Sequence, residues 1–209
     1  MKKKLLVISL ALLEGLVMSS TASAVLTGSK HDFTNLQWGN SQICLPCHAP
    51  HNNINDQGAV LWNHTLTQAS YTLYSSPTYD ATTTTTQPSA VSKFCLSCHD
   101  GTVALDAYGS HTGTTTITGN GLLGTNLSND HPISFDYNAA LVAADTATGG
   151  GIPGLVTPAS ASQVVAGIPL FTGKMECASC HDVHNKHGIA GLLNSSNTGS
   201  ALCLKCHIK

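Results

Sequence analysis

Cys44-Leu45-Pro46-Cys47-His48, Cys95-Leu96-Ser97-Cys98-His99, Cys177-Ala178-Ser179-Cys180-His181 and Cys203-Leu204-Lys205-Cys206-His207 are four copies of one pentad, Cys-x-x-Cys-His. Together they use all 8 cysteines of the 209-residue chain. The pentad is the attachment signature of c-type haem. Two thiols add across the vinyl groups of one porphyrin, and the adjacent histidine reaches the iron as its first axial ligand. Structural zinc would use the same thiolates, but it places no demand on a histidine directly after every second cysteine. Disulfides are a second competitor, because the chain reads as exported. Redox Cys-x-x-Cys pairs usually come singly on an αβ scaffold, of which the sequence gives no sign. Four complete pentads with no cysteine left over predict four haem c groups. The thioether positions are Cys44, Cys47, Cys95, Cys98, Cys177, Cys180, Cys203 and Cys206, with His48, His99, His181 and His207 as first axial ligands.

The second axial ligand must then come from elsewhere. Methionine is the usual alternative to histidine. After the N-terminal segment the chain has a single methionine, Met175, two residues before Cys177. It is too close to its own attachment strand to serve and reads as a packing residue. Histidine is in surplus: 11 in all, of which His31, His51, His64, His111, His131, His184 and His187 lie outside the pentads. This predicts bis-histidine iron at all four sites.

His51 and His184 each lie three residues past a pentad histidine. A side chain there does not readily wrap to the far face of its own ring, so both are expected to ligate other haems. His131 precedes Pro132, which favours an extended backbone that holds the side chain out. His31 sits near the start of the exported chain, on an arm with no evident anchor, and is expected to reach a distant haem or one on a neighbouring molecule. His64 is a reserve candidate. His111 and His187 read as solvated loop residues.

Charged residues make up 10% of the chain, and the 9 basic residues are all lysines. With no arginine fork and no basic face, nucleic-acid recognition is excluded. Lys2 to Lys4, the apolar run Leu5 to Met18 and Ala22-Ser23-Ala24 read as a signal segment, residues 1–24, cleaved on export. The run is shorter than the ~20 residues a membrane span needs, and no later stretch is long and apolar enough. Residues 25–209 are read as one tetrahaem domain, with a weak division near residue 125. Extracellular, cell-surface or periplasmic placement is expected.

Secondary-structure signals are sparse. Tyr71 to Tyr74 and Thr114 to Thr118 read as short strands, and Ala139 to Ala144 and Ala159 to Val165 as short helices. Thr82 to Thr86 is low-complexity, and Gly149 to Gly151 is loop. With about 46 residues per haem, the expected fold is mostly irregular coil with short helices and few short strands wrapped around a tetrahaem core, a multihaem cytochrome c. Burial of the macrocycles supplies what a sparse peptide core lacks, and no fold is expected without them.

Ser29-Lys30-His31-Asp32, Cys44 to His51, Leu61-Trp62-Asn63, SKFCLSCHDGTVA at 92–104, GNGLLGTNLSNDHPISFD at 119–136, Glu176 to His184 and GSALCLKCH at 199–207 carry a further likeness. The chain resembles the exported multihaem c-type cytochromes of metal-reducing bacteria, most of all the tetrahaem outer-surface members that polymerise into extracellular filaments. The resemblance places His31, His51, His131 and His184 at distal-ligand positions. It implies electron transfer to redox-partner cytochromes or extracellular metal oxides. It also implies a homopolymer in which one histidine ligates a haem of the adjacent subunit, a role expected here of His31. Val183 stands where proline is common, and Ala49 where threonine is expected. A monomeric tetrahaem carrier is the alternative. An oxidoreductase would need an open iron and acid–base residues beside it, and the surplus of histidine and lack of arginine speak against one.

Overall fold

Each pentad writes one helical turn into the chain. In the computed structural model, the His48 amide donates to the Cys44 carbonyl at 2.8 Å, His181 to Cys177 at 3.0 Å and His207 to Cys203 at 2.9 Å. The second pentad closes helix α1, Ala90–His99. A helical turn sets residues three apart on one face. Both thiols of a pentad therefore point the same way, as attachment to one ring requires. The structure describes residues 26–36, 38–51, 61–81 and 86–209. The expected signal segment and most of the threonine run lie outside them.

Ser89 precedes α1 with an extended backbone, but its hydroxyl does not cap the helix. Asp100 follows as the C-cap. Helix α2, Ala139–Thr148, is capped by Asn138, whose side chain accepts the Leu141 amide at 3.0 Å. Its end falls at Gly149, and Gly150 and Gly151 follow at positive φ. The third pentad forms the single turn α3, Cys177–Cys180, which packs against α1. Short 3₁₀ turns occupy Thr34–Leu36, Trp38–Ser41, Gly119–Gly121, Thr198–Ser200 and Cys203–Lys205. The named strands are β1, Phe135–Asp136, and β2, Lys174–Met175, paired antiparallel. Lys174 Nζ lies 2.7 Å from Asp136 Oδ1 across that pair.

The fold among the described residues is thus coil with short helices and little strand. Local expectations fared unevenly. Ala139 to Ala144 is helical, and α2 runs a turn further. Tyr71 to Tyr74 is extended but makes only a lone bridge, Thr72 to Asn126, and Thr114 to Thr118 forms no strand. Ala159 to Val165 is not a helix. It is a tight loop, with Ala159 N–H on Val164 O at 2.8 Å and Ser162 N–H on Ser160 Oγ at 3.2 Å. Serine hydroxyls here compete for backbone groups that a helix would use. Helix α1 was not expected at all.

Two apolar clusters form. One gathers Phe135, Tyr137, Leu141, Val164, Ile168, Leu170 and Met175 around the β1–β2 pair. Met175 is buried within it as a packing residue. The other holds Tyr71, Leu96 and Leu127. Leu96, between the second-pentad cysteines, is fully buried, so the helical turn that carries the thiols is also anchored in the core.

Candidate metal centres

All eight thiols are free of disulfides. Burial pushes Cys47 up to about 11, helped by nearby Cys44, and Cys98 up to about 12, helped by Cys47 and Asp100. Cys206 is pushed up to about 11 by burial and Cys180. A redox-active pair needs a depressed thiol; here burial raises these, while Cys177 alone is lowered, by its hydrogen bond with Cys95. The partners also reveal an order in space. Cys47 adjoins Cys98, the Cys95 and Cys177 side chains are hydrogen-bonded, and Cys180 adjoins Cys203 and Cys206. The four pentads therefore follow one another in space as in sequence.

The histidines meet in twos. His31 and His99 have ring centroids 6.0 Å apart, His48 and His184 6.2 Å, and His131 and His207 6.5 Å. Each pair joins one pentad histidine to one from outside the pentads. Metal–imidazole bonds of about 2.0 Å on opposite sides of one iron, with each ring centre a further ~1.1 Å out, put axial rings about 6 Å apart. Among the described residues no three Cys, His, Asp or Glu side chains converge as a metal cluster. Pairs are what a porphyrin iron asks of a protein, because the macrocycle fills its other four positions. The residues present fit haem c.

Second contacts aim several rings. His99 Nδ1 lies 2.7 Å from Gly121 O, His181 Nδ1 2.8 Å from Gly191 O and His131 Nδ1 2.9 Å from Pro132 O. An Nδ1–H donating to a carbonyl leaves the Nε2 lone pair for a metal. Burial, then His99 and His181, pushes His31 down to about 4, which keeps it in the neutral form that a metal requires. Its Nδ1 is buried without a hydrogen-bond partner.

His31 is where expectation and structure part. Its arm was expected to lie free and to reach a distant haem or one on a neighbouring molecule. It is instead folded onto His99 of its own chain. Asp32 ties it down: its carboxylate accepts Gly28 N–H at 2.8 Å and Thr34 N–H at 3.1 Å, and Phe33 lies 5.3 Å from the Trp38 ring. Those local bonds outweigh the freedom of a short polar arm.

His181 enters no such ring pair among the described residues, and His51 is exposed. His64 is buried at 1% exposure, with its ring nitrogens 2.8 Å from Thr65 O and 2.9 Å from Ala104 O. A neutral ring donates to one of these carbonyls at a time, and with Nε2 3.5 Å from Cys98 Sγ the residue braces the loop beside that thiol. His111 and His187 are exposed, and His111 Nδ1 lies 2.9 Å from Asp106 O.

Sequence reasoning passed over two buried carboxylates. Asp100 accepts hydroxyls from Thr67 at 2.6 Å and Tyr71 at 2.5 Å. Glu176 accepts hydroxyls from Ser89, Ser92 and Ser134. Only the serine three residues past Glu176, a capping-box spacing, hinted at either.

Residues 169–209, which enclose the third and fourth pentads, match the family model of the doubled CXXCH motif, Paired_CXXCH_1. The chain carries a c-type cytochrome domain. Domains of this doubled-motif kind are characteristic of electron carriers, not of enzymes. No curated protein matches the cytochrome. Among its described residues no helix is long and apolar enough to cross a membrane.

Proposed function

We propose that this cytochrome conducts electrons through four covalently attached bis-histidine haems, as the subunit of an extracellular filament. The observation that carries the reading is the meeting of three pentad histidines with three remote ones at axial spacing. Bound haem iron supplies the one-electron ferric–ferrous couple. The chain's own part is to clip, aim and enclose. The cysteines fix each ring at two points, the carbonyls of Gly121 and Gly191 orient His99 and His181, and the contiguous thiols set four attachment points in one unbroken series. Histidine on both faces holds iron six-coordinate in either oxidation state.

Assembly follows from what is left over. With the three ring pairs taken as ligand pairs of this chain, His181 and His51 remain. His51 of one copy completing the His181 iron of the next would make a head-to-tail contact, which propagates instead of closing. The bridging role thus passes from His31 to His51. In this reading residues 1–24 direct export, and the electrons go to partner cytochromes or extracellular metal oxides. The monomeric carrier is the second reading, and it holds if His51 closes on His181 of its own chain.

Electron cryo-microscopy of the native secreted material tests this. Continuous density from iron to a His51 of the adjacent copy is expected. Isolated monomers with His51 bound within the chain would return the carrier reading. An iron lacking any second histidine would reopen the enzyme.

A further inference from the structure

Glu176 is 2% exposed, yet it lies at the junction of the second and third attachment sites. It directly precedes Cys177. Its carboxylate receives hydroxyls from Ser89 and Ser92 at the start of α1, the helix that bears Cys95, and from Ser134 at 2.8 Å beside β1. The protons of two of these hydroxyls can be assigned. Ser92 Oγ already accepts Cys177 N–H at 3.1 Å, and Ser134 Oγ accepts Ser89 N–H at 2.9 Å. With an amide on one lone pair of each, the hydroxyl hydrogen is free to point at the carboxylate. Three hydroxyls able to donate suit a carboxylate, which accepts at both oxygens, better than a carboxylic acid. Among the described residues the ion pairs do not include Glu176, so hydroxyl dipoles offset its charge and no cation cancels it.

The surroundings hold this arrangement at some cost. Ser134 is fully buried and adopts φ 60°, a left-handed backbone that a serine rarely takes. That conformation aims its hydroxyl inward. Ser89 gives up capping α1 to reach the same carboxylate. A buried anion is expensive unless hydrogen-bonded, and three hydroxyls from two separate segments are spent on this one.

We propose that Glu176 is a potential-setting residue: a fixed buried negative charge that lowers the reduction potentials of the second and third haems together. The inference rests on the haem reading above. Ferric iron carries one more positive charge than ferrous iron, so a nearby anion in a low-dielectric interior favours the oxidised state. Glu176 adjoins Cys177 and is tied to the helix that bears Cys95, whose thiols are themselves in contact. It therefore acts on both sites. The first and fourth sites are further along the series and feel it less.

The test is spectroelectrochemical titration of the intact secreted protein beside Glu176→Gln and Glu176→Asp. Haem is first counted by mass under denaturing conditions, so that loss of the haem reading is seen separately. With four haems present, Glu176→Gln is expected to raise two of the four midpoints. The expected shift is a tenfold change in the one-electron equilibrium, ~59 mV. Glu176→Asp keeps the charge and is expected to leave them near native. If Glu176→Gln does not fold, Ser89→Lys places an ammonium against the carboxylate and is expected to raise the same two midpoints. Four unmoved midpoints in a folded, fully loaded Gln or Lys variant would overturn the proposal. So would equal shifts in Gln and Asp, which would mark a merely structural role.

Discussion

His48 and His184 come from opposite ends of the chain, yet their rings face each other 6.2 Å apart at an interplanar angle of 20°. His48 closes the first pentad, and His184 lies just past the third. An iron held between them would fasten the first pentad to the segment that follows the third. His31 with His99 and His131 with His207 also join residues far apart in sequence, at 6.0 Å and 6.5 Å. Under the proposed ligation, each iron would act as a tertiary crosslink between residues far apart in the chain.

Haem should accordingly be a condition of folding. Intact mass of the secreted chain under denaturing conditions is expected to exceed the peptide mass by four haems. Protein made without haem attachment is expected to lack a cooperative thermal transition. Fewer than four haem masses on the native chain would show that some pentads serve another purpose.

Removal of one remote ligand should open one iron. His131→Ala and His184→Ala are each expected to add one high-spin ferric signal in electron paramagnetic resonance, with the haem count unchanged. His64→Ala is expected to leave all signals low-spin while lowering stability, because its buried ring N–H donates to one of two backbone carbonyls within reach. A new high-spin signal in His64→Ala would restore it as a ligand.

Assembly separates two histidines. His51→Ala is expected to abolish long filaments seen by electron microscopy, leaving folded single subunits. His31→Ala is expected to open the His99 iron within each subunit, whatever happens to polymerisation. Filaments that persist without His51 would place the joint elsewhere.

Buried hydroxyl–carboxylate bonds carry measurable stability. Tyr71→Phe removes the 2.5 Å bond to Asp100 and little volume. A hydrogen bond to a charged group contributes about 1.5–3 kcal/mol, and chemical denaturation should show a loss in that range. A loss near zero would mean that Thr67 and Thr102 suffice.

Acid should act partly through Asp106. Burial alone would raise its pKa, but the amides of Thr115 and Thr114 and the nearby His111 outweigh burial and hold it below the ordinary value of 3.8. A carboxyl depressed by folding contributes stability that is fully present above its unfolded pKa and is lost as pH falls through its folded one. Native protein is expected to lose stability over that acid interval. Asp106→Asn should be less stable at neutral pH and show a flatter acid profile. Identical profiles for the two would remove Asp106 from the account.

The sequence by itself determined the attachment chemistry. Cys-x-x-Cys-His is a local pattern: one helical turn aligns two thiols and a histidine, and no distant contact is needed to read it. Scarce strand signals, the Ala139 helix and the packing role of Met175 were legible for the same reason. The tertiary structure alone decided which remote histidine meets which pentad, because those contacts join residues far apart in the chain. It set the His31 ring 6.0 Å from that of His99 in the same chain, on an arm tied down by the bonds of Asp32. It made His64 a brace between two carbonyls and left His51 and His181 over. It also exposed the Glu176 cluster, whose three serines come from two segments well before it. A buried charge becomes visible only when the groups that satisfy it are brought together, and no spacing in the sequence records that meeting.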